Sequence, residues 1–112
     1  MAYENLIRLA EVMNKLRSPG GCPWDAEQTH ASLLKYLLEE SYEFIESVES
    51  GNRQDMREEL GDILLQVYFH SRIAEEDSAD PFTVDDVAKA VTDKLISRHP
   101  HVFADTKVDS SS

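Results

Sequence analysis

Five acids dominate the chemistry this sequence can do. Glu39, Glu40 and Glu43 stand in the run Glu39-Glu40-Ser41-Tyr42-Glu43, and Glu59 and Asp62 in Glu59-Leu60-Gly61-Asp62. Residues three apart on a helix project from the same side, so Glu40 converges with Glu43 and Glu59 with Asp62. If the two segments are antiparallel helices, the pairs face one another across a groove. Four carboxylates so placed repel strongly unless a divalent cation sits among them. Hard oxygen ligands suit Mg²⁺, with Mn²⁺ as the alternative, and Mg²⁺ usually keeps several waters and takes substrate phosphates as further ligands.

Most acidic pairs on helices are simply solvated. These are interrupted by apolar residues, with Leu37, Leu38, Phe44 and Ile45 around the first set and Leu60, Ile63 and Leu64 around the second. Acids so close to an apolar stripe need a reason for partial burial. Gly61 adds a clue, since a mid-helix Gly costs about 1 kcal/mol relative to Ala. It permits close helix approach or leaves space for a ligand. Glu46, Glu49, Glu75, Glu76, Asp85 and Asp86 are assigned to solvent. A di-iron centre would want two Glu-x-x-His elements from a bundle core. The chain offers only Glu27-x-x-His30, near a helix start and away from both acidic pairs.

The elements that must carry these acids follow from apolar spacing. Leu6, Leu9, Met13 and Leu16 place a first helix over roughly Tyr3 to Leu16, ended by Ser18-Pro19-Gly20-Gly21. Asp25 fits an N-cap, with Gln28 completing a capping-box pattern, and opens a long second helix that runs to about Ser50 before Gly51. A third begins near Asn52 and continues to about Glu76, carrying Met56, Leu60, Ile63, Leu64, Val67 and Ile73. After a polar break at Asp77 to Pro81, Thr83 with Asp86 resembles another cap. Val84, Val87, Ala88, Val91 and Leu95 then form the stripe of a fourth helix, stopped by Pro100. No convincing strand occurs. The expectation is an all-α, four-helix bundle with helices two and three as an antiparallel pair.

The chain has 112 residues, room for one small domain over 1–107, with 108–112 expected as a frayed tail. A core of this size is marginal alone, which favours association with another copy. A formal charge of -11, from 22 acidic and 11 basic residues, argues against general nucleic-acid binding. It leaves room for an anionic small substrate provided a cation bridges the two. A single Cys rules out an intrachain disulfide. The lack of a signal-like or roughly 18-residue apolar segment points to the cytoplasm and away from the membrane.

At this point the sequence resembles the MazG family of nucleoside triphosphate pyrophosphohydrolases. The resemblance begins at "LRSPGGCPWDAEQTHASLLKYLLEESYEF", continues through "REELGDILLQVYFHSRIAEE" and ends with "DKLISRHPHVF", covering roughly residues 5 to 105. The family signature E-E-x-x-E followed by E-x-x-D is matched by Glu39, Glu40, Glu43, Glu59 and Asp62. That signature is shared with all-α dUTPases, whereas "GGCPWD" and "RHPHVF" are more particular to MazG. The resemblance implies an all-α fold assembling as a dimer or higher oligomer. It also implies Mg²⁺-dependent release of pyrophosphate from an NTP, with water attacking the α-phosphorus. Glu40, Glu43, Glu59 and Asp62 are then the metal ligands. Glu39, turned about 100° from Glu40 on the helix, holds a second metal or orients the water; with Glu43 it is assigned to catalysis.

Lys94 and Arg98 are four apart near the end of the fourth helix and could meet phosphate oxygens. Stabilisation of the helix C-terminus by the same two charges is an equal reading. The family commonly has two successive arginines before His-Pro-His; here Ser97 replaces the first, which puts one phosphate contact in doubt. Lys35 and Arg57 are weaker contributors. His99 and His101 are expected to set the loop after the fourth helix, and His30 and His70 to be satisfied, half-buried histidines. Family members often continue into a further helical stretch or a second MazG domain, so a base contact made there would be lost from this chain.

"GGCPWD" reads as the joint between the first helix and the metal-bearing one. Gly20 and Gly21 permit an unusual turn, Pro23 stiffens it, and Cys22 is a small packed residue. Trp24 is either a hydrophobic lock under the loop, the favoured reading, or a wall of the nucleotide pocket able to stack on a base. Two alternatives to an NTP pyrophosphohydrolase stand beside it: a helical dimerisation module with little turnover, and dUTPase-like specificity.

Overall fold

The long helix α3 (His30–Ser50) is started by Thr29 and stopped by Gly51. Thr29 Oγ1 accepts from Ser32 N at 3.0 Å while Ser32 Oγ accepts from Thr29 N at 2.8 Å, a reciprocal cap. Gly51 adopts φ 73°, the left-handed conformation that lets the chain reverse without a Cβ penalty. Asn52 then caps α4 (Arg53–Ala74), accepting from Asp55 N at 3.1 Å. So tight a turn makes α3 and α4 antiparallel neighbours. His30 meets His70, and Glu40 meets Glu59, along the pair.

The computed structural model describes residues 2–104, so the tail expected at 108–112 lies outside the described residues. Six helices and no strand occur among them. Besides α3 and α4 these are α1 (Glu4–Arg17), α2 (Pro23–Glu27), α5 (Val84–Arg98) and α6 (Pro100–Phe103). The all-α expectation holds, but two boundaries differ. Asp25 does not cap the long helix; it sits inside α2, a separate turn, and Gln28 is extended with ψ 148°. The Asp25/Gln28 pattern lost to the Thr29/Ser32 box because Gln28 is otherwise engaged. Its Nε2 donates to the Trp24 carbonyl at 3.0 Å, and its Oε1 accepts from Ser32 Oγ at 2.8 Å. Pro100 ends α5 as expected, yet it also opens a further turn, since Pro is at home in a helix's first position.

The four expected long helices are present with two short ones, α2 and α6, beside them, and they pack openly. Helix α4 is the hub and touches α1, α3 and α5, while among the described residues the backbone of α5 comes close to α4 and α6 alone. The radius of gyration, 16.5 Å, exceeds the ~13 Å of a compact 100-residue domain, as a projecting α5 requires. The core is correspondingly small: Met13, Leu33 and Phe69 are buried together, with Leu16, Tyr36, Leu65 and Ile73 packed around them. Apolar residues remain exposed in number, among them Leu34, Leu38, Tyr42 and Ile45 on one face of α3.

The "GGCPWD" joint is held from two sides. Gly20 takes φ 85°, and a Cβ on Gly21 would strike the carbonyl oxygens of Lys15 and Leu16. Arg17 then fastens the joint. Its Nη1 donates to the carbonyls of Asp25 (2.7 Å) and Gln28 (2.9 Å), and its Nε and Nη2 to Glu76 (2.7 and 3.0 Å). Glu76, expected in solvent, is therefore the anchor between the end of α1 and the end of α4. Arg72 adds a second donor to it at 2.9 Å. Hydrogen bonding from Arg17 holds the Glu76 carboxyl below its ordinary range. The expected Thr83/Asp86 cap of α5 is present: exposed Asp86 accepts from Thr83 N at 2.8 Å, and Thr83 Oγ1 accepts from Asp86 N at 3.2 Å.

Candidate metal centre

Glu40 and Glu43 project from one side of α3, and the turn at Gly51-Asn52 brings Glu59 of α4 opposite them. One carboxylate oxygen from each of the three lies within 4.8 Å of the others. Glu40 and Glu59 are half-buried, Glu43 exposed. One oxygen of Glu40 and one of Glu59 are buried with no hydrogen-bond partner. Burying an ionised carboxylate without a partner is expensive, and the group responds by holding its proton. Burial, the contact with Glu59, and the charges of Asp62 and Glu43 push Glu40 from 4.5 up to about 8. Burial also raises Glu59. Two orphaned oxygens and a third acid within ligand distance are the donor set a hard divalent cation takes. These residues fit such an ion.

The structure places the other expected site residues at different distances from this cluster. Asp62 stands outside the group of three but lines a cavity with Glu40, and its charge acts on both Glu40 and Glu59. Glu39 is exposed, and its carboxylate is not among the three that converge. Lys94 and Arg98 are exposed on α5, and among the described residues neither belongs to an ion pair or lines a cavity with the acids. Lys35 lies 5.1 Å over the Tyr36 ring. Gly61 is exposed, and a Cβ there would meet nothing within 4 Å, so it does not serve close helix approach within the chain.

The acids sit between two concavities of opposite character. On one side a polar groove of about 500 Å³ is lined by Glu43, Glu46, Ser47, Ser50, Asp55 and Glu59. On the other, a cavity of about 190 Å³ is walled by Trp24, Leu33, Tyr36, Leu65, Gln66 and Phe69, with Asp25, Glu40 and Asp62 at its polar side. Trp24 both packs against the core aromatics and borders this cavity. Its ring stands edge-on to Tyr36 (5.9 Å, 70°) and Phe69 (6.4 Å, 77°), yet half of it is exposed and it borders the cavity.

Three features were not anticipated: Arg17 as a clamp, Gln66, and a stacked His30–His70 pair. The two imidazole planes differ by 4°, with Nδ1 to Nδ1 at 2.8 Å. Burial and the neighbouring His30 lower His70. His99 does set the loop after α5, its Nδ1 lying 2.6 Å from the Leu95 carbonyl oxygen.

Helices without strands among the described residues, and a carboxylate cluster across an antiparallel helix pair, define an all-α domain with an acid cluster that suits a divalent cation. Comparison with known families narrows this. A family model described as the MazG nucleotide pyrophosphohydrolase domain matches residues 28–103, and the chain belongs to that family. It is 56% identical over 98 residues to the nucleoside triphosphate pyrophosphohydrolase/pyrophosphatase MazG of Thermotoga maritima, covering 88% of this chain and 38% of that protein. It is 54% identical over 101 residues to a nucleoside triphosphate pyrophosphohydrolase of Mycobacterium tuberculosis, covering 90% of this chain and 30% of the relative. The corresponding protein of Escherichia coli K12 is 46% identical over 106 residues, covering 94% and 40%. The chain thus spans less than half the length of these curated relatives. Among the described residues no helix is long and apolar enough to cross a membrane.

Proposed function

We propose that the domain hydrolyses nucleoside triphosphates between the α- and β-phosphates, releasing pyrophosphate and a nucleoside monophosphate. The observation that carries this is the convergence of Glu40, Glu43 and Glu59, with two buried oxygens left without partners. Family membership and the names of the relatives support the same reaction. Glu40, Glu43, Glu59 and Asp62 would hold Mg²⁺, or Mn²⁺ in its place. A bound divalent cation supplies charge neutralisation at the phosphates and lowers the pKa of water. Glu43, an exposed member of the cluster, and exposed Glu39, next to Glu40 in the chain, would accept a proton from the attacking water. Lys94 and Arg98, exposed on α5, would contact the phosphates.

A homodimer or higher oligomer acting in the cytoplasm is part of this proposal. It is supported by the small core and by Leu34, Leu38, Tyr42 and Ile45, which are 49–60% exposed along one face of α3. Contiguous apolar exposure of this kind marks an interaction surface.

The test is incubation of the purified protein with each NTP and Mg²⁺, with products separated by anion-exchange chromatography. Equal amounts of pyrophosphate and NMP are expected, and Glu43→Gln should abolish turnover while keeping the helical circular dichroism. Release of orthophosphate, or wild-type rates in Glu43→Gln, would overturn the proposal. A folded oligomer without turnover would favour a dimerisation module. A large preference for dUTP would favour a dUTPase-like enzyme.

A further inference from the structure

We infer that Gln66 reads the base of the bound nucleotide, within the aromatic cavity on the side of the acids away from the polar groove. The inference rests on the nucleotide reading above and adds a specificity-determining residue to it. Gln66 lies one turn beyond Asp62 on α4, so both project from the same side of the helix. It is 6% exposed, and its Oε1 is buried with no hydrogen-bond partner. A buried polar group left unpaired in an apolar setting calls for a ligand that completes it.

The cavity it lines indicates which ligand. At about 190 Å³ it falls below the ~300 Å³ at which small-molecule pockets begin, so it takes one ring system and not a whole nucleotide. Trp24, Tyr36 and Phe69 contribute aromatic rings to it, and a base presents a flat π-face to such walls. Its carboxyl side chains, Asp25, Glu40 and Asp62, lie at its polar side, where Glu40 and Asp62 would hold the cation. The polyphosphate therefore belongs at the cation, and the uncharged end of the nucleotide in the cavity. Gln66 is the amide side chain in this wall, with an acceptor and a two-hydrogen donor side by side. That pair complements a base edge carrying an adjacent donor and acceptor, as in the Gln–adenine pairing of nucleic-acid readout. Gln66 also borders an apolar cavity beside His70 and Phe82, so it forms the partition between the two.

Trp24 is the only Trp in the chain, so its fluorescence reports on this cavity directly. The experiment titrates the full chain with the four NMPs and with ribose 5-phosphate, which has no base. NMPs should quench Trp24, and ribose 5-phosphate should not. Gln66→Leu should change the ranking of NMP affinities by roughly 3- to 10-fold, the worth of one neutral hydrogen bond. Gln66→Glu, which keeps shape but removes the donor, should penalise the bases that need one. The ratio between bases matters, because a merely structural role would weaken all four NMPs equally. An unchanged ranking in both folded variants would overturn the inference, and so would equal quenching by ribose 5-phosphate in the wild type, a measurement that needs neither variant to fold. Pyrophosphate release is measured in parallel. Turnover without base-dependent quenching removes the Gln66 inference alone, whereas base-dependent quenching without turnover removes the enzyme reading and keeps the cavity.

Discussion

Lowering the pH should weaken divalent-cation binding, because the cation must displace a proton from Glu40. That carboxyl is raised to about 8 by burial, by its contact with Glu59 and by the charges of Asp62 and Glu43. Near neutral pH it is therefore mostly protonated, and each cation bound releases about one proton. Well below the pKa the apparent affinity should fall about tenfold per pH unit, and from about pH 8, where the group is half protonated, to about pH 6 the loss is about 50-fold, or about 2.3 kcal/mol. Above about pH 9 affinity should level off. Isothermal titration with Mn²⁺ in buffers of different ionisation enthalpy measures both the affinity and the protons released. Glu40→Gln should bind more weakly and release none. The stability sign follows from the same shift. A folded pKa raised above the ordinary 4.5 contributes stability that is full below that value and lost as pH rises toward 8. The metal-free chain should accordingly melt lower as pH climbs through this window, and saturating Mg²⁺ should remove the decline. Equal affinity at both ends of the window, with no proton release, would refute the reasoning.

Arg17→Ala should cost about 2 kcal/mol, since it leaves the Asp25 and Gln28 carbonyls and Glu76 without their donor, the half-exposed Glu76 limiting the loss. Thermal unfolding should drop by roughly 10 °C, and an unchanged midpoint would show that the clamp carries no stability. Gly21→Ala should destabilise by about 2 kcal/mol or more, because its Cβ meets two carbonyl oxygens of α1; a denaturant midpoint equal to the wild type would contradict the contact. His70 is lowered by burial and by His30, so its contribution to stability is present above the ordinary 6.5 and lost as pH falls below it. Histidine NMR titration should show His30→Ala moving the His70 midpoint upward, and no movement would mean that the pair is not coupled.

The carboxylates were legible because each pair obeys helical spacing, and a glycine followed by an N-cap signals an antiparallel return. Glu40, Glu43 and Glu59 needed nothing beyond that periodicity. The break between α2 and α3 was harder to see. Two cap patterns, Asp25/Gln28 and Thr29/Ser32, stand four residues apart, and only the Gln28 contacts decide between them. Arg17 and Glu76 are 59 residues apart, and no local pattern pairs them. Gln66 looked like an ordinary polar residue on an amphipathic helix until the aromatic wall closed around it. The openness of α5 likewise depends on what it fails to touch, which spacing within a helix does not encode.

The acid cluster and the Arg17 clamp occupy opposite ends of the α3–α4 pair, and each end faces a different physical problem. At the turn end, like charges push the helices apart, but Gly51 and Asn52 join them covalently within a few residues, so repulsion cannot separate them. Burial of Glu40, together with that repulsion, is expressed instead as a retained proton on it. At the far end no such covalent link joins the helices. There His30 meets His70, and Glu76 takes three donors from Arg17 and Arg72. Arg17 also holds the Asp25 and Gln28 carbonyls, which fixes α2 and with it Trp24 at the cavity mouth. Loosening the clamp should therefore disturb the cavity before it disturbs the acids. In Arg17→Ala, base-dependent quenching of Trp24 should weaken while the proton released on Mn²⁺ binding stays near one. Loss of cation binding in parallel with quenching would mean that the two ends act as one unit and that the turn alone does not hold the acids together.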